Sequence, residues 1–303
     1  MDQPALYSGP SIIPHVWYPE PKAAVAFLER AFDFRPQFQE PDGNGGVHSD
    51  MRAELKIGRG LILVGSANAP RFMFRTPREA GGVNTGAVYT ATRDIDALYR
   101  RAKDAGAQMV RDLADTDYGS RDFAACDPDG YLWSFGTYHP AIDGSDAAET
   151  EAEVFDALRY ERPRTAMDWL VEAFGFQRHS IPAVDGEDVR HALLRFGTSL
   201  LMISGTPLND PLKLLPPHLA SLSHLGGVHT QVVHVVVADP DAHCERAREA
   251  GGEVLEPPSD TWDGARRYIV RDPEGYVWSF STHAPGQRSK RDKSTVDTRV
   301  SRT

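Results

Sequence analysis

The chain has 303 residues, 41% hydrophobic and 25% charged, with a formal net charge of −10. That length suits about two domains of ~150 residues, and the composition is that of a water-soluble globular protein. A net negative charge disfavours general nucleic-acid binding, which rests on phosphate neutralisation, and no apolar run approaches the roughly 18 residues a membrane span needs.

The N-terminus has neither a basic segment nor an apolar segment of the secretory kind, so a cytoplasmic location is expected. Cys126 and Cys244 stand at non-equivalent places, which suggests neither a disulfide framework nor a metal knuckle. After a leader (1–10), residues 11–18 read as a strand. A helix follows over 22–32 with Pro21 in its first turn and an apolar stripe of Val25, Phe27, Leu28, Ala31 and Phe32. Strands are predicted at about 35–40, 47–57 and 60–66. A second unit opens at Gly81-Gly82, with a strand over 86–92, a helix over 94–105, and strands near 108–114, 118–126 and 131–138.

The pattern then restarts. Asp127-Pro-Asp-Gly-Tyr-Leu-Trp-Ser-Phe-Gly-Thr returns as Asp272-Pro-Glu-Gly-Tyr-Val-Trp-Ser-Phe-Ser-Thr, and Gly81-Gly-Val-Asn-Thr85 returns as Gly226-Gly-Val-His-Thr230. The repeat divides the chain into one module over 11–139, a linker over 140–153, a second module over 154–284, and a basic tail over 285–303 that reads as disordered. The fold class is therefore α+β, with four βαβββ units in two tandem modules.

Those units, with Tyr118-Gly-Ser-Arg121 leading into the first Asp-Pro-x-Gly turn, resemble the vicinal oxygen chelate superfamily of glyoxalase I, extradiol dioxygenases and bleomycin-resistance proteins. The pattern is most similar to its glyoxalase-like, PhnB-like branch. The resemblance implies that the two units of each module form one cupped mixed sheet around a cleft. It also implies metal ligands on the first, fifth and last strands of a module. Those positions align with Ile13, Phe155, Ala87, Val232, Ser134 and Ser279, which are apolar or hydroxyl side chains and poor ligands for a divalent ion. No metal site and no other cofactor is expected, although a divalent metal stays open as a disfavoured alternative.

Residues two apart in a strand share a face. If each module forms its own sheet, the first cleft shows His15 and Trp17, Tyr89, and Ser134 and Tyr138. The second shows Arg159, His234, and Ser279 and His283. Each cleft then holds one internal histidine. His15 and His234 read equally well as groups that bind ligand or move a proton and as hydrogen-bonded core histidines. Trp17, Tyr89 and Tyr138 suit a planar ligand. Arg159 could hold an anion, as could Arg121 and Arg266, for which a salt bridge pinning the turn is the competing reading. Glu54 lies on the third strand with its facing open.

The expected function is metal-independent binding of a small aromatic or anionic metabolite or antibiotic. The alternative is a glyoxalase-like lyase or isomerase with His15 or His234 as general base, ahead of an extradiol dioxygenase. The expected partner is a small molecule, without nucleic acid or membrane. The chain is expected to be either a monomer containing an internal pseudo-dimer or a homodimer.

Overall fold

A computed structural model describes residues 9–39, 51–67, 74–140, 152–180, 189, 191–205, 219–261 and 264–285. Most of the leader, residues 47–50 of an expected strand, most of the linker and the tail from 286 lie outside them.

Each of the four units has the same order of elements. The first contains β1 (Ile12–Tyr18), α1 (Pro21–Phe32), β2 (Arg35–Gln39), β3 (Met51–Ile57) and β4 (Gly60–Ser66). The second contains β5 (Gly86–Ala91), α2 (Ile95–Asp104), β6 (Gln108–Asp115), β7 (Arg121–Cys126) and β8 (Leu132–Gly136). The third runs through β9 (Glu153–Tyr160), α3 (Pro163–Phe174), β10 (Gln177–Ser180), β11 (Ala192–Phe196) and β12 (Ser199–Gly205). The fourth comprises β13 (Gln231–Val236), α4 (Pro240–Glu249), β14 (Glu253–Asp260), β15 (Arg266–Arg271) and β16 (Val277–Ser281). Proline opens α1, α3 and α4, where its missing N–H leaves no hydrogen bond unmade. The Asp94 and Asp239 carboxylates cap α2 and α4 by accepting backbone N–H bonds. No helix among the described residues is long and apolar enough to cross a membrane.

Two eight-stranded mixed sheets form, each from two βαβββ units. Their orders are β14-β15-β16-β13-β1-β4-β3-β2 and β10-β11-β12-β9-β5-β8-β7-β6. The pairing corrects the expectation that each half closes its own sheet: unit one joins unit four, and unit two joins unit three. At the centre of the first sheet β1 runs antiparallel to β13, and at the centre of the second β5 runs antiparallel to β9. Nothing in the strand patterns distinguishes the partners. All four central strands are almost wholly buried, so none shows the one-sided alternation that would mark out its partner.

The helix-side cores do follow the halves. In one, Phe32 and Phe34 of the first unit pack on Trp133 and Phe135 of the second. In the other, Phe174 of the third unit packs on Trp278 and Phe280 of the fourth. Cores organised by half and sheets organised across halves lock the chain into one body.

The sheets also meet through polar contacts. Thr85 and Thr230 exchange hydroxyl and backbone bonds, and Gln231 Nε2 donates to Asp156 Oδ1 at 2.6 Å. Asp156 is 1% exposed and, among the described residues, its Oδ2 has no hydrogen-bond partner. Burial raises its pKa well above the ordinary carboxylate range, with the Gln231 bond a smaller opposing effect. A raised folded-state pKa means the favourable contribution is complete below the unfolded value and is lost as pH rises through the folded one. The stability gain of Asp156→Asn over the parent protein is therefore expected to grow between about pH 5 and about pH 9 in thermal melts. A gain that stays constant across that range would contradict it.

Candidate functional site

The repeated turns are structural. Asp127 Oδ1 accepts from the Asp129 and Tyr131 backbone N–H groups, while Oδ2 accepts from Tyr18 Oη at 2.6 Å and Trp133 Nε1 at 3.1 Å. Asp272 repeats this with Tyr160 at 2.7 Å and Trp278 at 3.1 Å. Arg121 binds Asp96 and Asp115, and Arg266 binds Asp241 and Asp260. Both arginines are thus engaged with carboxylates of the chain itself, on its outer surface.

The crosswise sheets redistribute the remaining candidates. His15 stands six residues before Pro21 and His234 six before Pro240, so the two imidazoles occupy equivalent places in the paired units. Both face one cleft, which corrects the expectation of one histidine in each. The floor is apolar: Ile13, Leu61 and Leu63 on one side, Val232, Ile269 and Val277 on the other.

His234 Nε2 lies 3.4 Å from the His283 carbonyl oxygen, and its Nδ1 lies 3.5 Å from Ser279 Oγ. The carbonyl can only accept, so in the tautomer with its proton on Nε2 the ring donates there and leaves Nδ1 to accept from the serine. His283 Nε2 pairs with Glu54 Oε1 at 3.1 Å, which settles the facing of Glu54: its carboxylate is in the cleft and 3% exposed. Across the cleft, Arg267 pairs with Glu256 at 3.2 Å.

His15 differs from the other histidines of this cleft. It is 7% exposed and, among the described residues, its Nε2 has no hydrogen-bond partner. Burial first, then the neighbouring His234, Arg267 and His283, hold its pKa well below the ordinary imidazole range, so the ring is neutral. Two residues on, Trp17 packs its ring 4.9 Å from that of His15 and 5.3 Å from that of Phe74, and its Nε1 is likewise buried without a partner. Buried polar atoms are nearly always bonded, so these two adjacent atoms are candidates for contact with a ligand.

The second cleft holds Tyr89, Ser134, Tyr138 and Arg159. Here the polar groups mainly satisfy one another. Tyr89 Oη donates to the Tyr138 carbonyl at 2.6 Å, and Tyr118 Oη donates to Asp122 Oδ2 at 2.5 Å. Arg159 Nη1 donates to the Leu219 carbonyl at 2.7 Å. Burial and the Asp122 bond push the Tyr118 phenol up to about 12. Ser134 sits between Tyr89 and Ala124 in register, and apolar Phe155, Leu193 and Met202 fill the rest.

Glu54 was visible in the sequence only as a strand residue of open facing, and Phe74, Arg267 and His229 went unread. His229 carried a signal, because it replaces Asn84 in an otherwise matching repeat. Asn84 bonds Gly130 and Leu132, whereas His229 is 2% exposed with Nδ1 unpartnered among the described residues.

The donors do not fit a metal centre of the kind the resemblance implies. Of the positions that the resemblance aligns with metal ligands, Ile13 and Val232 meet in this cleft as aliphatic side chains and Ser279 as a hydroxyl. Among the described residues, no three His, Cys, Asp or Glu side chains come close enough to hold one ion.

Comparisons with known proteins agree with this architecture. The model of the Glyoxalase/Bleomycin resistance protein/Dioxygenase superfamily matches residues 12–135 and 154–280. The Mycobacterium bovis protein CFP32, provisionally named a glyoxylase, is 24% identical over 199 residues, covering 66% of this chain and 70% of its own. The uncharacterised Mycobacterium tuberculosis protein MT0910 is 30% identical over 138 residues, 45% of this chain and 78% of its own. Glyoxalase I from Zea mays superposes with a TM-score of 0.61 at 12% identity, covering 96% of this chain and 98% of that one, a likeness of fold.

Proposed function

Since the chain belongs to the Glyoxalase/Bleomycin resistance protein/Dioxygenase superfamily, we propose that it binds a small aromatic molecule, without a metal, in the cleft between β1 and β13. The observation that carries this reading is the neutral, buried His15 with its unpartnered Nε2 beside the unpartnered Nε1 of Trp17. A cleft of apolar floor with a few convergent polar atoms is the usual form of a small-molecule site. His234, Ser279 and His283 line the same cleft and would orient the ligand. The second cleft, whose polar atoms are turned on each other, plays a supporting part.

One observation favours a second reading, a lyase or isomerase. The Glu54 carboxylate holds His283 Nε2 at 3.1 Å, an arrangement that fixes an imidazole and raises its basicity. His283, rather than His15, would then be the proton acceptor, because burial and neighbouring charge keep His15 weakly basic.

A thermal-shift screen of small planar molecules on the full chain, run with and without EDTA, tests the binding reading, because a ligand that binds the folded state raises its melting temperature. Hits whose shift survives EDTA and shrinks in His15→Leu are expected. Shifts that appear only with an added divalent ion would contradict it.

A further inference from the structure

We infer that the cleft containing His15 selects an uncharged planar carbonyl compound over carboxylates and cations; this rests on the reading that the cleft binds a small molecule. Trp17 Nε1 can only donate, and it is buried without an acceptor among the described residues, so a ligand that completes it must bring an acceptor atom. Cations such as ammonium groups carry no acceptor and would leave that N–H unmade.

The charges of the cleft then decide against an anion. Glu54, 3% exposed, places a carboxylate there, and its hydrogen bond to His283 engages that imidazole. Across the cleft the Arg267 guanidinium faces Glu256. His15 is neutral, so no imidazolium meets an incoming carboxylate, and burying a charge without a partner is costly. A carbonyl oxygen escapes this penalty. It can accept from Trp17 Nε1, and His15 Nε2 can bond a second atom of the ligand in whichever tautomer the ligand requires.

Shape agrees with charge. His15, Trp17 and Phe74 form a run of tilted rings at 4.9 Å and 5.3 Å between centroids. Such a run offers flat faces and edges to an aromatic ring system, the arrangement π-systems prefer. In the other cleft the place equivalent to Trp17 is taken by Arg159, whose Nη1 donates to the Leu219 carbonyl. The demand for an outside acceptor on a tryptophan N–H is thus confined to one of the two clefts.

Calorimetric titration of the full chain near pH 7 with three bicyclic probes of similar size tests the selection: coumarin (an uncharged carbonyl), naphthalene (no acceptor) and 2-naphthoate (an anion). Coumarin is expected to bind at least about tenfold more tightly than either of the others. Trp17→Phe, which keeps an aromatic ring and removes the donor, is expected to lower coumarin affinity about tenfold and naphthalene affinity by much less. The ranking in the parent protein needs no variant, so a Trp17→Phe chain that fails to fold does not obscure it. Binding of 2-naphthoate as tight as or tighter than coumarin overturns the selectivity while the binding reading stands. Equal losses for coumarin and naphthalene in a folded Trp17→Phe do the same, since Trp17 would then act by packing alone. If none of the three binds the parent protein, the small-molecule reading of this cleft falls, and the selectivity with it.

Discussion

Asp272→Ala is expected to lower the unfolding free energy by about 4 kcal/mol or more, among the largest single-site losses available in this chain. The carboxylate is 5% exposed, and five donors converge on it: the backbone N–H groups of Glu274, Gly275 and Tyr276, the Tyr160 hydroxyl, and Trp278 Nε1. Alanine leaves four of them without an acceptor, the Gly275 N–H keeping its bond to the backbone carbonyl of residue 272, and each buried donor left unmade costs roughly 1–3 kcal/mol before relaxation and water recover part of it. Tyr160 lies on β9 and Trp278 on β16, so the loss also loosens the join between the third and fourth units. Urea denaturation of the variant measures it directly. A loss below about 1 kcal/mol would mean that the donors find other partners and that the turn is not the brace described above.

Gly60→Val comes next, with an expected cost of about 3 kcal/mol or more. The turn between β3 and β4 docks on the start of β9: Arg59 N–H donates to the Ala152 carbonyl at 2.8 Å, and a Cβ at Gly60 would stand 2.6 Å from the backbone nitrogen of Val154. That neighbour is main chain and cannot rotate away, so the hairpin must lift from the second sheet. A valine there that leaves the denaturation midpoint unchanged would show that this contact is dispensable.

Much of this architecture was legible in the sequence, for a physical reason. Helix stripes such as Val25-Phe27-Leu28-Ala31-Phe32 and the Asp-Pro-x-Gly turns are local signals. The units they outline appear within a residue or two of the expected bounds wherever those bounds are described, apart from the start of β7. Sheet composition is not local. β1, β5, β9 and β13 are all buried on both faces, and nothing along any one strand says which other strand it meets. The site inherited that blindness: His15 and His234 were each visible as inward-facing histidines, but their meeting depends on β1 pairing β13. Glu54 reached the cleft by the same route. Its neighbour there, His283, lies 229 residues away in sequence, on the unit that β1 joins.

The claim on which the site depends is therefore that β1 lies beside β13. The Val236 N–H donates to the Ser11 carbonyl at 2.9 Å, so Ile12 and Val235 face each other as the adjacent non-hydrogen-bonded pair, with Cα atoms about 4.5 Å apart. That spacing lies within the range a disulfide spans, and the native Cys126 and Cys244 are both buried. The measurement is cross-linking of Ile12→Cys/Val235→Cys in a chain carrying a protease site between its halves. Mild oxidation followed by cleavage should leave one species on a non-reducing gel and two after reduction. Two species without reductant, with the new thiols still free, would place β1 in a sheet of its own half and separate His15 from His234.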